Sequence, residues 1–521
     1  MKKTFKTIGI YLGVLLLAFI ATVVFCGAFL FFYREGDIFG IKYVKYNKVL
    51  YARSTAEMLD METIEVDCQS YDVRIVVNSM VDKVSGAMRN KVFGYAHKSK
   101  ALANFTLNYD KDTKTASFSA VEPQGWLNKK DCYVEIVIPE DLADDGFNII
   151  VNTKKGDVLI GGSKKVFEVG RLDVSSTRGE VTVSNTIVGG DIKIDIGSGW
   201  IGFDNSCKTT NAVNAEIKLG SGVVNFTQVD VNNFKLNIVE IKSIKSGRIG
   251  IYKLKELVTN GNINSGGRIE VKEVEFIDFS SLDTDLIVYE IKPSTMGVGI
   301  VSRINLTGLG DCSINNVYSN LQINGNDGNL VVGTAIGSVS LITDSGNITM
   351  NRALKLVSAD TQSGNINITF DKDALNYAPT TVGDANKNRA VIASTNSGTI
   401  NISGLQNGHI NAGNKGKIAL NYNKVVGDNV VIGKSGRVDI LVPNPSDTSL
   451  PDEYAFNLTV NSRSASDIKV GVVDSVIGGV DWSDNGLKTF TNIYGTAGSN
   501  NLNVNTDSGI IKIRSGDLIK Y

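Results

Sequence analysis

The sequence predicts an all-β protein: an elongated β-solenoid of coils of about 20 residues, preceded by one N-terminal transmembrane helix. Three observations lead to this prediction. A phrase of the type TDSGNIT recurs along the chain, the residues after its glycine alternate between aliphatic and polar, and a long uncharged run stands near the N-terminus. Recurrence of one short unit is typical of repeat architectures, and strict alternation is typical of half-buried strands.

The transmembrane helix is predicted at residues 7–33, which contain no charged side chain. A span of about 20 apolar residues crosses a bilayer, and this run is longer. It ends in FLFFYRE rather than in the small residues of a cleavage site, which favours a retained anchor over a signal peptide. Because Lys2, Lys3 and Lys6 precede the run, the positive-inside tendency places residues 1–6 in the cytoplasm and the remainder outside the cell membrane.

The next two segments connect this helix to the repeats. Residues 34–60 are interpreted as a juxtamembrane linker, and residues 61–150 as an N-terminal β unit or cap. Within the second segment, TIEVDCQSYDVRIVV and DCYVEIVIP alternate in the manner of strands. A cap is expected because the uncovered end of a strand stack exposes unpaired backbone groups.

Residues 151–521 are interpreted as the β-solenoid repeat region. In the unit GNINI, Gly364 precedes Ile366 and Ile368, which share one face of a strand, while the asparagines share the other. The units are too short for strand–helix–strand crossovers, so stacked coils are expected to bury the aliphatic rows. A β-sandwich-like repeat remains the alternative, because strand propensity alone does not determine pairing. The turn glycines, expected to tolerate positive φ at tight corners, include Gly156, Gly179, Gly199, Gly222, Gly247, Gly346, Gly364, Gly398, Gly436 and Gly509.

Composition and charge exclude several classes of function. The formal net charge is −1 with both signs interspersed, which gives no electrostatic reason to expect a nucleic acid as partner. The two histidines and five cysteines form no CxxC or CxxxH spacing, so no metal and no cofactor is expected. A disulfide between Cys68 and Cys132 is conceivable outside the cytoplasm, but isolated buried thiols are the favoured interpretation.

The anchor is followed by TIEV, YDVRIV, CYVEIVIPEDL and NTKKGDVLIGG, and then by serial SG-x-I-x-I strands. This order of segments resembles the bacterial family named "putative adhesin", over roughly residues 60–521. The resemblance implies a glycine-rich β-repeat domain of unknown biochemical role at the cell surface. It brings no catalytic residue that can be transferred to this chain.

Candidate contact residues are few. Trp200 occupies the outward position after Gly199, where an exposed indole can stack on a sugar or fill a partner's pocket. Packing under a neighbouring segment is the favoured alternative, because most aromatic side chains are covered. Asp283 and Asp285 share one face of a predicted strand, and paired carboxylates can hydrolyse glycosides. Solvated acidic residues beside turns are far commoner, and no nucleophile elbow, Walker loop or metal-binding histidine pair occurs, so no catalytic residue is expected.

The sequence therefore predicts a membrane-anchored, extracytoplasmic β-repeat protein with an adhesive, scaffolding or envelope-structural role and no catalysis. The expected partners are the membrane, through the helix, and a cell-surface glycan or an envelope protein, through the repeats. One alternative is a β-helix carbohydrate-active enzyme acting on cell-surface polysaccharide, which a clustered acidic groove would indicate. Another is an envelope-stress accessory protein that binds a membrane partner.

Overall fold

The structure, a computed structural model, describes most of the chain. The residues outside the description are 1, 33–34, 39–40, 56–59, 69, 98–103, 122–125, 145, 163–164, 264–265, 296, 298, 372–389, 444–454, 464–467, 472–480, 483–487, 495–499, 509 and 517–521. Within some elements only the backbone is described, so that the side chains of α1 (Lys2–Phe32) are described for residues 9–24 alone.

One α-helix, one 3-10 turn and 40 strands make up the described secondary structure. The 3-10 turn is Glu140–Leu142. The first twenty strands are β1 (Glu35–Ile38), β2 (Ile41–Thr55), β3 (Thr63–Cys68), β4 (Asp72–Asn78), β5 (Ser85–His97), β6 (Asn104–Asp110), β7 (Thr115–Val121), β8 (Trp126–Pro139), β9 (Phe147–Lys155), β10 (Val158–Gly161), β11 (Phe167–Ser184), β12 (Thr186–Val188), β13 (Ile192–Phe203), β14 (Lys208–Thr209), β15 (Val213–Leu219), β16 (Val223–Phe226), β17 (Leu236–Ile244), β18 (Arg248–Thr259), β19 (Arg268–Ser281) and β20 (Asp285–Ile291). The others are β21 (Val301–Leu306), β22 (Cys312–Val317), β23 (Asn320–Gly325), β24 (Leu330–Ala335), β25 (Val339–Thr343), β26 (Ile348–Ala353), β27 (Val357–Thr361), β28 (Ile366–Phe370), β29 (Ala390–Thr395), β30 (Thr399–Leu405), β31 (Asn407–Ala412), β32 (Lys417–Tyr422), β33 (Asp428–Gly433), β34 (Arg437–Pro443), β35 (Phe456–Ser462), β36 (Ile468–Gly471), β37 (Asp481–Trp482), β38 (Lys488–Tyr494), β39 (Asn501–Thr506) and β40 (Ile510–Gly516).

The predicted N-terminal helix is present as α1. Its role as a membrane span stays a prediction. Among the helical residues that the structure describes, no stretch is both long enough and apolar enough to cross a bilayer.

The chain folds into two compact units. Unit 1 consists of Met1–Gly190 and Phe203–Thr210, and unit 2 of Asp191–Gly202 and Asn211–Tyr521. The boundaries predicted at residues 60 and 150 stay predictions.

Unit 1 combines antiparallel and parallel pairing. Strands β1, β2, β5 and β8 pair antiparallel in that order, and β6 pairs antiparallel with β7. The coil-like part is parallel: β9 pairs with β3 and β11, and β10 pairs with β4 and β11. The aliphatic residues of β3 and β9 that face inward, such as Val66 and Val151, are fully buried.

Unit 2 is a stack of coils whose strands form two parallel columns. From β20 to β32 each strand pairs with the strand two places further along the chain, so that β20, β22, β24, β26, β28, β30, β32 and β34 form one column. The odd-numbered strands from β21 to β33 form the other column. Two strands per coil, stacked in register, confirm the predicted solenoid-like β-repeat rather than the sandwich alternative.

The interior of this stack consists of the aliphatic residues that the alternation predicts. Ile366, Ile368, Val438 and Ile440 are at most 2% exposed. Ile366 lies between Ile348 and Ile400 of the neighbouring coils, so the interior is built from continuous aliphatic rows. Each fully buried residue of this size contributes about 1.5–3 kcal/mol relative to exposure.

The last two strands do not extend the stack in chain order. β39 lies between β33 and β35, and β40 lies between β34 and β36. Leu502, Val504, Ile511 and Ile513 of this inserted coil are buried. The coil formed by β39 and β40 therefore fills a place between two coils that precede it in the sequence.

Candidate functional site

The recurring phrase T-x-S-G forms a hydrogen-bonded corner. The buried Thr361 hydroxyl accepts a hydrogen bond from the N–H of Gly364, at 3.0 Å, and lies 3.3 Å from the carbonyl oxygen of Gly346 in the preceding coil. Thr343 and Thr395 make the same contacts in their own coils. The threonine thus satisfies a buried backbone donor and connects its corner to the coil before it.

The corner glycines stack directly on one another. A Cβ atom on Gly364 would lie 1.8 Å from the carbonyl oxygen of Gly346, and one on Gly346 would lie 1.8 Å from that of Gly328. Positive φ, the predicted reason for glycine, applies at Gly156, Gly179 and Gly199. No positive φ is found at Gly222, Gly247, Gly346, Gly364, Gly398 or Gly436, and the approach of the neighbouring coil's backbone explains glycine there instead. Gly509 lies outside the described residues.

A ladder of polar side chains follows this glycine column on the outer face. The side-chain oxygen of Asp311 accepts from the N–H and Nδ2 of Asn329, at 2.7 and 3.2 Å. Asn347 donates in the same way to Asn329, and Asn365 to Asn347. The Asn365 oxygen then accepts from the N–H of Thr399. Successive amides in this part of unit 2 are therefore joined to the coils before and after them.

Earlier coils of the same column have a different outer face. Trp200 in β13 is half-buried, and it pairs with Val223 of the next coil. A Cβ atom on Gly202 would lie 2.1 Å from the six-membered ring of Trp200, so the indole lies across this glycine. The structure therefore places Trp200 on the outer face, with part of its ring covered by its own strand.

A charged cluster lies two coils beyond Val223. Glu270 in β19 is 9% exposed, and its Oε2 lies 2.5 Å from Arg248 and 3.7 Å from Arg268. Its Oε1 lies 3.4 Å from the Lys272 ammonium and accepts a hydrogen bond from the Tyr289 hydroxyl at 3.2 Å. Three cations and a phenol from three consecutive coils thus surround one carboxylate.

Electrostatics keep this cluster charged. Burial acts to raise the pKa of Glu270, but the hydrogen bonds from Arg248 and Lys272 outweigh it and lower the pKa overall. The pKa of Lys272 is raised, chiefly by its contact with Tyr289, whose ring centroid lies 3.3 Å from the ammonium. The carboxylate and the ammonium are consequently both ionised at neutral pH.

The paired carboxylates Asp283 and Asp285 accept backbone hydrogen bonds from the next coil. Asp283 accepts from the N–H of Leu309 at 2.9 Å, and Asp285 from the N–H of Asp311 at 3.1 Å. Among the side chains that the structure describes, no group of three or more histidine, cysteine, aspartate or glutamate residues is arranged to hold a metal ion.

The described cysteines are buried thiols. Cys68, Cys207 and Cys312 are free, and burial raises the pKa of each to about 12. The side chain of Cys132, the candidate partner of Cys68, lies outside the description.

Sequence reasoning missed the corner threonines, the asparagine ladder and the cluster around Glu270. The threonines and asparagines carry a signal, since Thr343, Thr361 and Thr395 stand three residues before their corner glycines and Asn347 and Asn365 stand directly after theirs. The segment RIEVK at 268–272 carries a weaker one, because its charged residues alternate with aliphatic ones. Its partners Arg248 and Tyr289 belong to other coils, and their register is not visible in the sequence.

Comparison with known proteins agrees with this architecture. A family model described as Toastrack DUF4097 matches residues 61–402. A crystal structure of a "putative cell adhesion protein" from Clostridium sporogenes matches over 90% of this chain and 100% of its own, with 8% sequence identity and a TM-score of 0.14, a likeness too weak to carry an argument. No curated protein matches the chain. Because the matched residues cover more than half of its length, the chain belongs to the Toastrack DUF4097 family, a β-repeat domain of unknown function.

Proposed function

We propose that this protein is a membrane-anchored, extracytoplasmic β-repeat protein that acts by binding, in an adhesive, scaffolding or envelope-structural role without catalysis. The observation that carries the proposal is the outer face of β13, β16, β18, β19 and β20. There the side chains of Trp200, Arg248 and Arg268 are partly exposed on a stack of parallel strands. Binding surfaces of repeat proteins are built in this way, from several modest contacts on successive coils.

The exposed surface of α1 supports the proposal of a membrane anchor. Its apolar side chains that are described are mostly exposed, for example Leu15 at 70% and Phe19 at 68%. A contiguous apolar surface of this kind is favourable in a lipid environment and unfavourable in water. The lysines before residue 7 support a cytoplasmic N-terminus.

Protease treatment of intact cells tests the proposed location. With an epitope tag after Tyr521, we expect the tag to be digested in intact cells and the protein to remain in the membrane fraction. The double substitution Leu15→Arg and Phe19→Arg is expected to release it from that fraction, because charges at the bilayer centre are costly. Leu309→Arg, at an exposed leucine in unit 2, is the matched control and leaves fractionation unchanged. A tag that resists protease until the cells are lysed contradicts the proposal.

The enzymatic alternative has a separate test. The purified protein is incubated with cell-surface polysaccharide, and new reducing ends are measured. We expect none. Release of reducing ends that the double substitution Asp283→Asn and Asp285→Asn abolishes would replace the binding role with a glycosidase role.

A further inference from the structure

We propose that the outer face of β13, β16, β18, β19 and β20 binds an acidic polysaccharide. We call this surface the arginine–aromatic face, and it comprises Trp200, Arg248, Tyr252, Arg268, Lys272 and Tyr289. The inference rests on the proposed binding role and names the class of ligand for it.

The two arginines form a pair along the stacking direction. Arg248 and Arg268 are register partners on adjacent parallel strands, so their Cα atoms are about 4.8 Å apart. Their side chains are 56% and 49% exposed, and each directs one terminal nitrogen towards Glu270. A guanidinium carries five N–H groups. Glu270 therefore accepts a hydrogen bond from Arg248 and lies near Arg268, and it engages only a minority of the donors of the two guanidinium groups.

The arginine–aromatic face itself carries a positive charge, and Asp311 in the following coil is a further acidic neighbour beside Asp285. Arg248, Arg268 and Lys272 contribute three positive charges, against Glu270 and against Asp285, which is the register partner of Arg268. At the corner beside them, the charge of Lys253 is balanced by Glu273, 3.6 Å away. The surplus favours an anionic partner over a neutral one.

Aromatic rings lie on both sides of the arginine pair. Trp200 lies across Gly202 on one side, and Tyr289 lies under the Lys272 ammonium on the other. Tyr252, on the strand of Arg248, is 39% exposed. The ring face of Tyr289 that lies under Lys272 is occupied by that ammonium. The uncovered faces of Trp200 and Tyr252 can pack against the apolar faces of sugars, while the arginines pair with acidic groups.

The arrangement suits a polymer rather than a small anion. The face crosses five successive strands, which at about 4.8 Å per strand gives a length of about 19 Å. An extended polysaccharide with regularly spaced acidic groups can contact Trp200, Tyr252 and both arginines together.

Binding of dextran sulfate and of neutral dextran tests the proposal, because the two share one backbone and differ in acidic groups. Full-length protein in detergent micelles is expected to bind dextran sulfate, to lose affinity as NaCl is raised, and not to bind neutral dextran. The double substitution Arg248→Gln and Arg268→Gln is expected to weaken binding about tenfold or more. Trp200→Ala is expected to weaken it several-fold, roughly as loss of one stacking contact does.

Arg303→Gln is the matched control, since Arg303 is an exposed arginine of β21 in the other column. It is expected to leave affinity unchanged. Equal binding of neutral dextran, unchanged binding by the double variant, or an equal loss in Arg303→Gln each overturns the proposal. Because this measurement uses purified protein, its failure is distinct from a failure of the proposed location, which the protease experiment measures.

Discussion

Two regions of unit 2 share one interior and differ on the outside. In residues 301–443 the outward amides of Asn329, Asn347 and Asn365 donate to and accept from the coils beside them. In residues 191–292 the corresponding side chains include Trp200 and Arg248, which keep part of their surface in solvent. Along this column of strands, hydrogen-bonding capacity is directed at neighbouring coils in the first region and left partly available in the second.

The spacing of the corner glycines differs in the same direction. A Cβ atom would lie 1.8 Å from the preceding glycine's carbonyl oxygen at Gly346 and Gly364, but 2.5 and 2.3 Å from it at Gly222 and Gly247. The coils joined by the ladder of Asn329, Asn347 and Asn365, here called the amide-laddered coils, are therefore the more closely stacked at this corner. We infer that the coils of Asn329, Asn347 and Asn365 serve chiefly to build and stiffen the stack, and that the outer face carrying Trp200 and Arg248 is better suited to contact a partner.

The largest predicted effect is a difference between corner glycines. Gly364→Ala is expected to lower the local free energy of unfolding by about 3 kcal/mol or more, because the methyl group collides with backbone that cannot rotate away. Gly247→Ala is expected to cost less. Hydrogen exchange measured peptide by peptide suits a repeat stack, which opens locally.

Gly325→Ala is the control for this comparison. The nearest atom to its added methyl would be a terminal carbon of Leu330, 3.3 Å away, which a flexible side chain can displace. We expect a change within about 1 kcal/mol. An equal loss of protection from hydrogen exchange in all three variants would show that the close backbone approach at the corner glycines does not set the cost of the substitution.

The corner threonine gives the second prediction. Thr361→Val keeps the shape of the side chain but leaves the buried N–H of Gly364 without its acceptor, so we expect a loss of about 2 kcal/mol in local stability. Thr361→Ser retains the hydroxyl and is the matched control, with a smaller loss from the missing methyl. Hydrogen exchange of the amide of Gly364 measures both. A serine variant that exchanges as fast as the valine variant would assign the effect to packing rather than to the hydrogen bond.

The sequence was sufficient for the interior because its determinants are local. Gly364, Ile366 and Ile368 stand within one pentad, and alternation alone shows which side chains face inward. The cluster around Glu270 was not predictable in this way, since Arg248 and Tyr289 come from coils of unequal length whose register must first be known. The insertion of β39 and β40 between earlier coils was not predictable either, because chain order and stacking order disagree there.

The third prediction concerns Glu270, in the region that carries the arginine–aromatic face. Its pKa is lowered in the folded state, while that of an unfolded glutamate is about 4.3. The carboxylate therefore contributes stability that is fully present above about pH 4.3 and is lost as the pH falls through the folded pKa. Glu270→Gln is expected to cost about 1.5 kcal/mol at pH 7 and progressively less below pH 4, in local stability measured across that range.

Glu290→Gln is the matched variant for this pH series. Glu290 lies in the same group of coils but pairs with Lys292 on a more exposed surface, so a change below about 0.5 kcal/mol is expected. If the cost of Glu270→Gln stays constant down to pH 3, its source is packing and not charge.

The smallest predicted effect concerns an exception within the amide-laddered region. Among the described side chains, the hydroxyl of Tyr422 is buried without a hydrogen-bond partner, and burial raises its pKa. Removing an unsatisfied buried hydroxyl relieves its desolvation cost, so Tyr422→Phe is expected to stabilise these coils by about 1 kcal/mol. Tyr252→Phe, at a 39% exposed ring of the arginine–aromatic face, is expected to change stability by less than about 0.5 kcal/mol. Slower amide hydrogen exchange in Tyr422→Phe alone would confirm that polar groups in residues 301–443 are stabilising only where a neighbouring coil bonds to them. Destabilisation by this variant would instead mean that the hydroxyl has a hydrogen-bond partner. That outcome would weaken the contrast between the two regions.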